Sequence, residues 1–256
     1  MKMKRQIDIM GIVNLTGDSY FAESRCADVP SALSRIGLLL DEGADIIDIG
    51  ACSSRPGSVP VGADVEWGRL MPVLKAVRTE FPEVRISIDT YWSEVVRKAI
   101  DVIGGFIVND ISAGDDDPRM LPLVGELGLE YIAMHKRVDC DVRSYFMDFA
   151  RRASDAGVKS WVLDPGFGFA KTPQENLELL SGLSKLKASY EGYEPRILVG
   201  ISRKSMIYRT LGITPEESLP ATQALHMCAL MNGADILRVH DVKEARQVAD
   251  LYNHMA

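Results

Sequence analysis

Cysteine is scarce and scattered. Cys26, Cys52, Cys140 and Cys228 form no Cys-x-x-Cys pair. That argues against a zinc site or a disulfide framework and fits a reducing compartment. Long apolar runs are missing as well. The densest, Ile36–Leu40 and the aspartate-interrupted Ala44–Ile49, fall far short of the roughly 20 residues that span a bilayer. Positive charge is in deficit, with 29 Lys and Arg against 36 Asp and Glu and a net charge of −7. This counts against nucleic acid as a partner. An anionic ligand would have to be held by local groups, not by the overall field. The start, MKMKRQIDIMGIV, is basic and then apolar, but Asp8 breaks the run and no small-residue cleavage site follows. It reads as the first strand of a cytoplasmic protein and not as a leader.

What the sequence does have is alternation. Brief aliphatic runs at 6–13, 45–49, 84–88, 105–109, 130–134, 160–164, 196–200 and 235–239 read as strands buried on both faces. Helical patterns fill the gaps at 30–42, 91–103, 141–156, 218–232 and 241–254. Thr172-Pro173-Gln174-Glu175 and Thr214-Pro215-Glu216-Glu217 both read as capping boxes with proline at the first helical position. Eight strand–helix units in 256 residues, with no linker between them, predict a single-domain α/β fold, a (β/α)8 TIM barrel over 1–256. An open doubly wound sheet is the alternative.

In such barrels chemistry gathers at the C-terminal ends of the strands. All eight predicted ends are polar or glycine-rich. Asp89, Asn109, Asp164 and Lys204 suit a flat heterocycle carrying donors and acceptors: a carboxylate accepts two parallel N–H groups, and an ammonium donates to a ring carbonyl. Asn14, Ser53, Ser54, Arg55, Arg238 and His240 suit a phosphate or diphosphate. The Asn14 oxygen is of the kind that takes Mg2+ bridged to phosphate. Taken singly, an acid or amide at a strand end is more often a turn or cap residue; it is the eight together that point to a site. His226 reads as a packing residue within an apolar helix, and Met120, Met206 and Met231 as core filler. Asp115-Asp116-Asp117 before Pro118 reads as a helix start. Asp110 reads as loop support, His135 is open between roles, and Cys52 lacks an identifiable histidine partner.

The segments IMGIVNLTGDSY, ADIIDIGACSSRPGS, ISIDT, IVNDISAG, AMHK, LDPGFGFAKT, LVGISRKSMI and ILRVHDVKEA run from residue 9 to about 245. In that order the chain resembles the dihydropteroate synthases, the folate-pathway enzymes inhibited by sulfonamides. The resemblance implies a Mg2+-assisted transferase that joins 6-hydroxymethyl-7,8-dihydropterin diphosphate to p-aminobenzoate and releases pyrophosphate. It implies pterin binding by Asp89, Asn109, Met134, Asp164, Lys204 and Arg238. Asn14, Ser54, Arg55, Arg238 and His240 would handle the diphosphate, with Asn14 on the metal. Ser54, Pro56, Phe169, Ser202 and Lys204 would form the p-aminobenzoate pocket. Arg55, Lys204, Arg238 and His240 would carry catalysis. A homodimer through barrel helices is also implied, with the apolar helices near 203–232 as a surface. The chain departs from the family at Gly17, Tyr20 and Cys52, where proline, phenylalanine and an acid are usual. Two other readings stay open: a methyltetrahydrofolate methyltransferase-like enzyme, and a pterin-binding paralogue without turnover.

Overall fold

The computed structural model describes residues 5–15, 26, 28–52, 61–137 and 139–255. Among these residues eight parallel strands close into a barrel in chain order. They are β1 (Asp8–Asn14), β2 (Ile46–Gly50), β3 (Arg85–Asp89), β4 (Ile107–Asp110), β5 (Glu130–Met134), β6 (Trp161–Asp164), β7 (Arg196–Val199) and β8 (Ile236–Val239). The helices between and after them are α1 (Val29–Asp41), α2 (Ala63–Glu80), α3 (Ser93–Ile103), α4 (Met120–Leu127), α5 (Val142–Asp155), α6 (Pro173–Ser181), α7 (Ser205–Leu211), α8 (Leu219–Met231) and α9 (Val242–Met255). The seam is closed by β8 on β1, from Asp8 opposite Ile236 to Gly11 opposite Val239. That pairing overturns the open-sheet alternative.

Strand alternation sorts the side chains into two sets. Ile9, Ile47, Ile49, Ile86, Ile88 and Val108 point outward and merge with the apolar faces of the helices in one large cluster. Met10, Ile46, Ile107, Ile132, Val162, Leu198 and Ile236 point inward and form a separate cluster inside the barrel. Both faces are dry, so the strands read as nearly continuous aliphatic runs. The inward parity then carries polar residues to the two mouths. In β2 it runs Ile46, Asp48, Gly50, and in β8 Ile236, Arg238. A slip of one residue would exchange the two sets.

Local signals end the elements where expected, with three exceptions. Asp28 caps α1, accepting from the Ser31 amide at 2.9 Å while Ser31 Oγ receives the Asp28 amide. Thr172 and Glu175 close the predicted box before α6. The Thr214 box also makes its reciprocal contacts, at 2.9 and 3.4 Å. It opens a 3-10 turn over Glu216–Ser218, however, and α8 begins only at Leu219. Pro220 has no N–H to return to the Glu216 carbonyl, which accepts from Arg203 Nη1 at 2.8 Å instead. The strand predicted at 105–109 starts at Ile107, after Gly104 and Gly105. Of the three aspartates only Asp117 serves the start of α4, where its carboxylate accepts the Arg119 amide at 3.0 Å. Asp117 also caps the neighbouring α3 through the Ser93 amide at 3.0 Å, while Asp115 and Asp116 pair with Arg152 and Lys136.

The N-terminal mouth is sealed by charge. Asp8 Oδ2 accepts from Arg85 at 2.9 Å and from Arg196 at 2.8 Å. Asp235 holds Arg5, Lys187 and the Ile197 amide. Burial alone would raise the Asp8 pKa, but the hydrogen bonds and charges of Arg196 and Arg85 outweigh it and hold the carboxyl below its ordinary 3.8. Its stabilisation is therefore present above that value and is lost as the pH falls through the folded-state pKa. Asp8→Asn should lower the unfolding free energy at pH 7 by about 2 kcal/mol, a discounted figure because water reaches both arginines. Urea denaturation checks this, and an unchanged midpoint would remove Asp8 from the account.

Candidate active site

The C-terminal mouth is organised around a residue that looks, in the sequence, like a mere interruption. Asp48, in the middle of β2, is fully buried. Its carboxylate accepts from Arg238 of β8, with Oδ2 at 2.7 Å from Nε and 2.6 Å from Nη2. Asn109 of β4 donates to the same carboxylate at 3.2–3.3 Å. Arg238 Nη2 also reaches Asp89 of β3 at 3.1 Å. β8 is thus tied across the barrel to β2 and β3, and β2 to β4. The signal for Asp48 is present in the sequence: an acid among isoleucines in a strand buried on both faces must have a partner inside.

On the far side of the mouth Asp164 ends β6 opposite Met134 of β5. Its Oδ1 accepts the Gly166 amide at 2.8 Å. Gly166 has φ +72°, and a Cβ there would lie 1.9 Å from the His135 carbonyl. Only glycine lets the loop pass and aim the carboxylate. Lys171 Nζ donates to the carbonyls of Pro165, Gly166 and Phe169 at 3.1–3.3 Å and holds that loop in shape. Lys204 Nζ donates to the Phe167 carbonyl at 2.5 Å and sits 5.0 Å from the centre of the Phe169 ring. Asp89, Asn109, Asp164 and Lys204 therefore gather at one mouth, as their strand-end positions predict, with Met134 opposite Asp164 and the Phe169 ring beside Lys204.

Charge there is finely balanced. Burial raises the Asp89 carboxyl to about 7, helped by nearby Asp48, Glu66 and Asp110 and opposed by Arg238. Burial also raises Asp164, against Lys204 and the Gly166 amide. Lys204 is lowered to about 8, first by burial and then by Arg238 and Lys171, against Asp164.

On the β8 and β1 side stand Arg238, His240, Ser202 and Asn14. Ser202 Oγ accepts the His240 amide at 3.2 Å, and Arg35 Nη2 donates to the His240 carbonyl at 2.8 Å. Burial and the charges of Arg238, Arg203, Arg35 and Lys204 hold the His240 imidazole at about 3, so it is neutral at physiological pH. Asn14 Oδ1 faces Gly50 and Asp89. A Cβ on Gly50 would lie 3.8 Å from that oxygen and 3.6 Å from Asp89 Oδ2, which fills the space between them. Ser53, Ser54, Arg55 and Pro56 lie outside the described residues, as do Gly17 and Tyr20. Cys52 Sγ lies 3.9 Å from the Tyr91 hydroxyl. Other polar residues belong to the scaffold. Asp110 accepts from Ser112, Gly114 and Tyr131. His226 is buried with Nδ1 on Gln223, and His135 is buried with Nε2 on the Cys140 carbonyl.

Comparison with known proteins decides among barrels. The profile of a family described as pterin binding enzyme matches residues 10–240. The chain belongs to the pterin-binding enzyme family. Among its relatives is the mitochondrial folate synthesis bifunctional protein of Pisum sativum, 38% identical over 94% of this chain and 52% of the relative. The chain thus spans about half the length of that protein. Dihydropteroate synthase of Streptococcus pyogenes serotype M6 is 39% identical over 96% of this chain and 95% of its own length. The crystal structure of Yersinia pestis dihydropteroate synthase in a sulfonamide drug complex superposes with a TM-score of 0.89 at 32% identity, covering 98% of this chain and 94% of that one. Among the described residues no helix is long and apolar enough to cross a membrane.

A second buried acid escapes sequence reasoning. Glu66, in the first turn of α2, is fully buried, and neither carboxyl oxygen has a hydrogen-bond partner among the described residues. Burial pushes its carboxyl up to about 7, against the pull of nearby Thr90 and Arg69. The folded chain keeps a proton there that the unfolded chain releases near 4.5, so stability falls as the pH rises from about 4.5 to about 7, by about 3 kcal/mol for this group. Glu66→Gln should flatten that slope. Urea denaturation of both proteins between pH 5 and pH 8 tests it, and parallel curves would show that Glu66 does not titrate in this range.

Proposed function

We propose that the chain condenses 6-hydroxymethyl-7,8-dihydropterin diphosphate with p-aminobenzoate to give 7,8-dihydropteroate and pyrophosphate. The observation that carries this reading is one mouth holding under-partnered carboxylates beside an ammonium, with a guanidinium and a neutral imidazole at the other end. It is supported by close relatives named dihydropteroate synthase.

The Asp164 carboxylate would accept two N–H groups from the ring edge, with Asn109 and Asp89 on further polar atoms and Lys204 donating to the ring carbonyl. Met134 would line the ring pocket. Phe169 and Ser202, with Ser54 and Pro56, would form the p-aminobenzoate pocket. Arg238 and His240, with Arg55 and Ser54, would hold the diphosphate. The bond from the ring-bearing carbon to the diphosphate oxygen breaks as the electron-rich dihydropterin stabilises the carbon left behind. The aryl nitrogen then bonds to that carbon and loses a proton. Catalysis rests chiefly on cationic groups aimed at the departing pyrophosphate.

Among the described residues no group of three or more His, Cys, Asp or Glu could cage a metal. A single protein oxygen such as Asn14 Oδ1, at the bare face of Gly50, fits Mg2+, which keeps waters and is held mainly by substrate phosphates. When bound, the ion would draw off charge from the leaving group. A homodimer is proposed through α7 and α8, where Leu211 and Met231 are exposed.

Pyrophosphate release measured with dihydropterin diphosphate and Mg2+, with and without p-aminobenzoate, tests the reading. Release dependent on p-aminobenzoate is expected; ring binding with no release would favour a paralogue without turnover. Asp164→Asn should weaken ring binding about 10- to 100-fold in calorimetry, because an acceptor of two N–H groups becomes a mixed donor and acceptor. Arg238→Ala should lower kcat by roughly 100-fold or more; an unaltered turnover number would remove it from the mechanism.

A further inference from the structure

Two motif residues have no part in the proposed reaction. Arg203 stands between Ser202 and Lys204 in ISRKS, and Asp241 follows His240 in RVHDV. The fold brings them together. Arg203 Nε donates to Asp241 Oδ2 at 2.9 Å and Nη2 to Asp241 Oδ1 at 2.8 Å, a two-pronged pair with side chains only 8% and 12% exposed. The third nitrogen, Nη1, donates to the carbonyls of Pro215 and Glu216 at 3.0 and 2.8 Å. Arg203 also has φ +53°, the left-handed region that side chains rarely occupy. Such a backbone persists only where its surroundings over-determine it. Here it lets Ser202 turn to the His240 amide while Lys204 turns to the Phe167 carbonyl.

We infer that Arg203 and Asp241 are a positioning pair that locks the loop after β7 to the loop after β8, so that Lys204 at the ring end and His240 at the diphosphate end act on one substrate molecule. The inference rests on the proposed synthase reading for what those two ends bind. The Ser202–His240 contact is a second strut between the same loops, and Arg35 of α1 braces the His240 carbonyl from outside them. Neither has the angular definition of a planar fork on a carboxylate. Lysine in place of Arg203 would keep the charge and the backbone strain and lose the fork on Asp241, together with the Nη1 bonds to the Pro215 and Glu216 carbonyls. Asparagine in place of Asp241 would keep the shape and lose the charge.

The test uses the full chain as wild type, Arg203→Lys, Asp241→Asn and the double variant, each shown to be folded by circular dichroism and thermal melting. Pyrophosphate release supplies kcat and KM. Calorimetry with 6-hydroxymethyl-7,8-dihydropterin, which lacks the diphosphate, reports the ring end alone. Each single variant should lose roughly 10- to 100-fold in kcat, the scale of a misplacement near 1 Å. Ring-probe affinity should stay within about threefold, and the double variant should be no worse than the worse single, as expected of one coupled unit. Turnover within about twofold of wild type in both singles, additive losses, or ring affinity falling in step with kcat would overturn the pair's role. Should the wild type bind the ring probe and release no pyrophosphate, the synthase reading fails, and inorganic pyrophosphate becomes the probe. Loss of about fivefold in its affinity in both singles then upholds the pair, and unchanged affinity overturns it.

Discussion

A single carboxylate buried in the barrel sets the terms for everything at its upper mouth. Asp48 has no exposure to solvent, and an ion in that position is tolerated only with its charge matched and its lone pairs occupied. Arg238 and Asn109 meet that demand, and in doing so they lose their freedom. The guanidinium cannot swing toward solvent without stranding Asp48, and Asn109 cannot turn without giving up the same acceptor. Asp89, 3.1 Å from Arg238, is the looser partner and keeps some exposure. The arrangement fixes the two side chains proposed to meet substrate before any ligand arrives, so little ordering would remain to be done on binding.

The architecture was legible because a parallel barrel imposes one pattern on all its strands. Ile46-Ile47 and Ile86-Ser87-Ile88 could be assigned to buried strands from composition alone, and the boundaries moved by only a residue or two. The strand-end rule then placed Asp89, Asn109, Asp164, Lys204, Arg238 and His240 around one mouth without long-range information. What stayed hidden depends on pairs distant in sequence. Asp48 looks like a flaw in an aliphatic run until Arg238, 190 residues later, supplies its partner. Glu66 sits on a helix whose first turn ordinarily carries exposed acids, and only the tertiary fold, which brings it near Thr90 and Asp89, buries it. The Thr214 box makes its capping contacts and yet opens a 3-10 turn, not the α-helix that the pattern predicts. The deciding contact, Arg203 to Glu216, lies outside any local window.

The two mouths of the barrel use the same residue types to opposite ends. At the lower one Asp8 faces two arginines, and Asp235 holds Arg5, Lys187 and a backbone amide. Each acid there is matched by cations the protein supplies. At the upper one three acids, Asp48, Asp89 and Asp164, share Arg238 and the nearby Lys204, whose ammonium is turned to a backbone carbonyl. Among the described residues Asp164 accepts a single hydrogen bond, from Gly166. A carboxylate so placed is costly for the fold, since burial favours its neutral form. On the proposed reading that cost would be recovered when a planar donor edge fills the remaining lone pairs in a dry setting, where hydrogen bonds to charge are strong. Stability accounts for the lower network and for the Asp48 pairing at the upper one, and it does not account for Asp164, which keeps one hydrogen bond among the described residues. Among the described residues the surplus of acceptors at the upper mouth fits half of an interaction whose other half is a ligand.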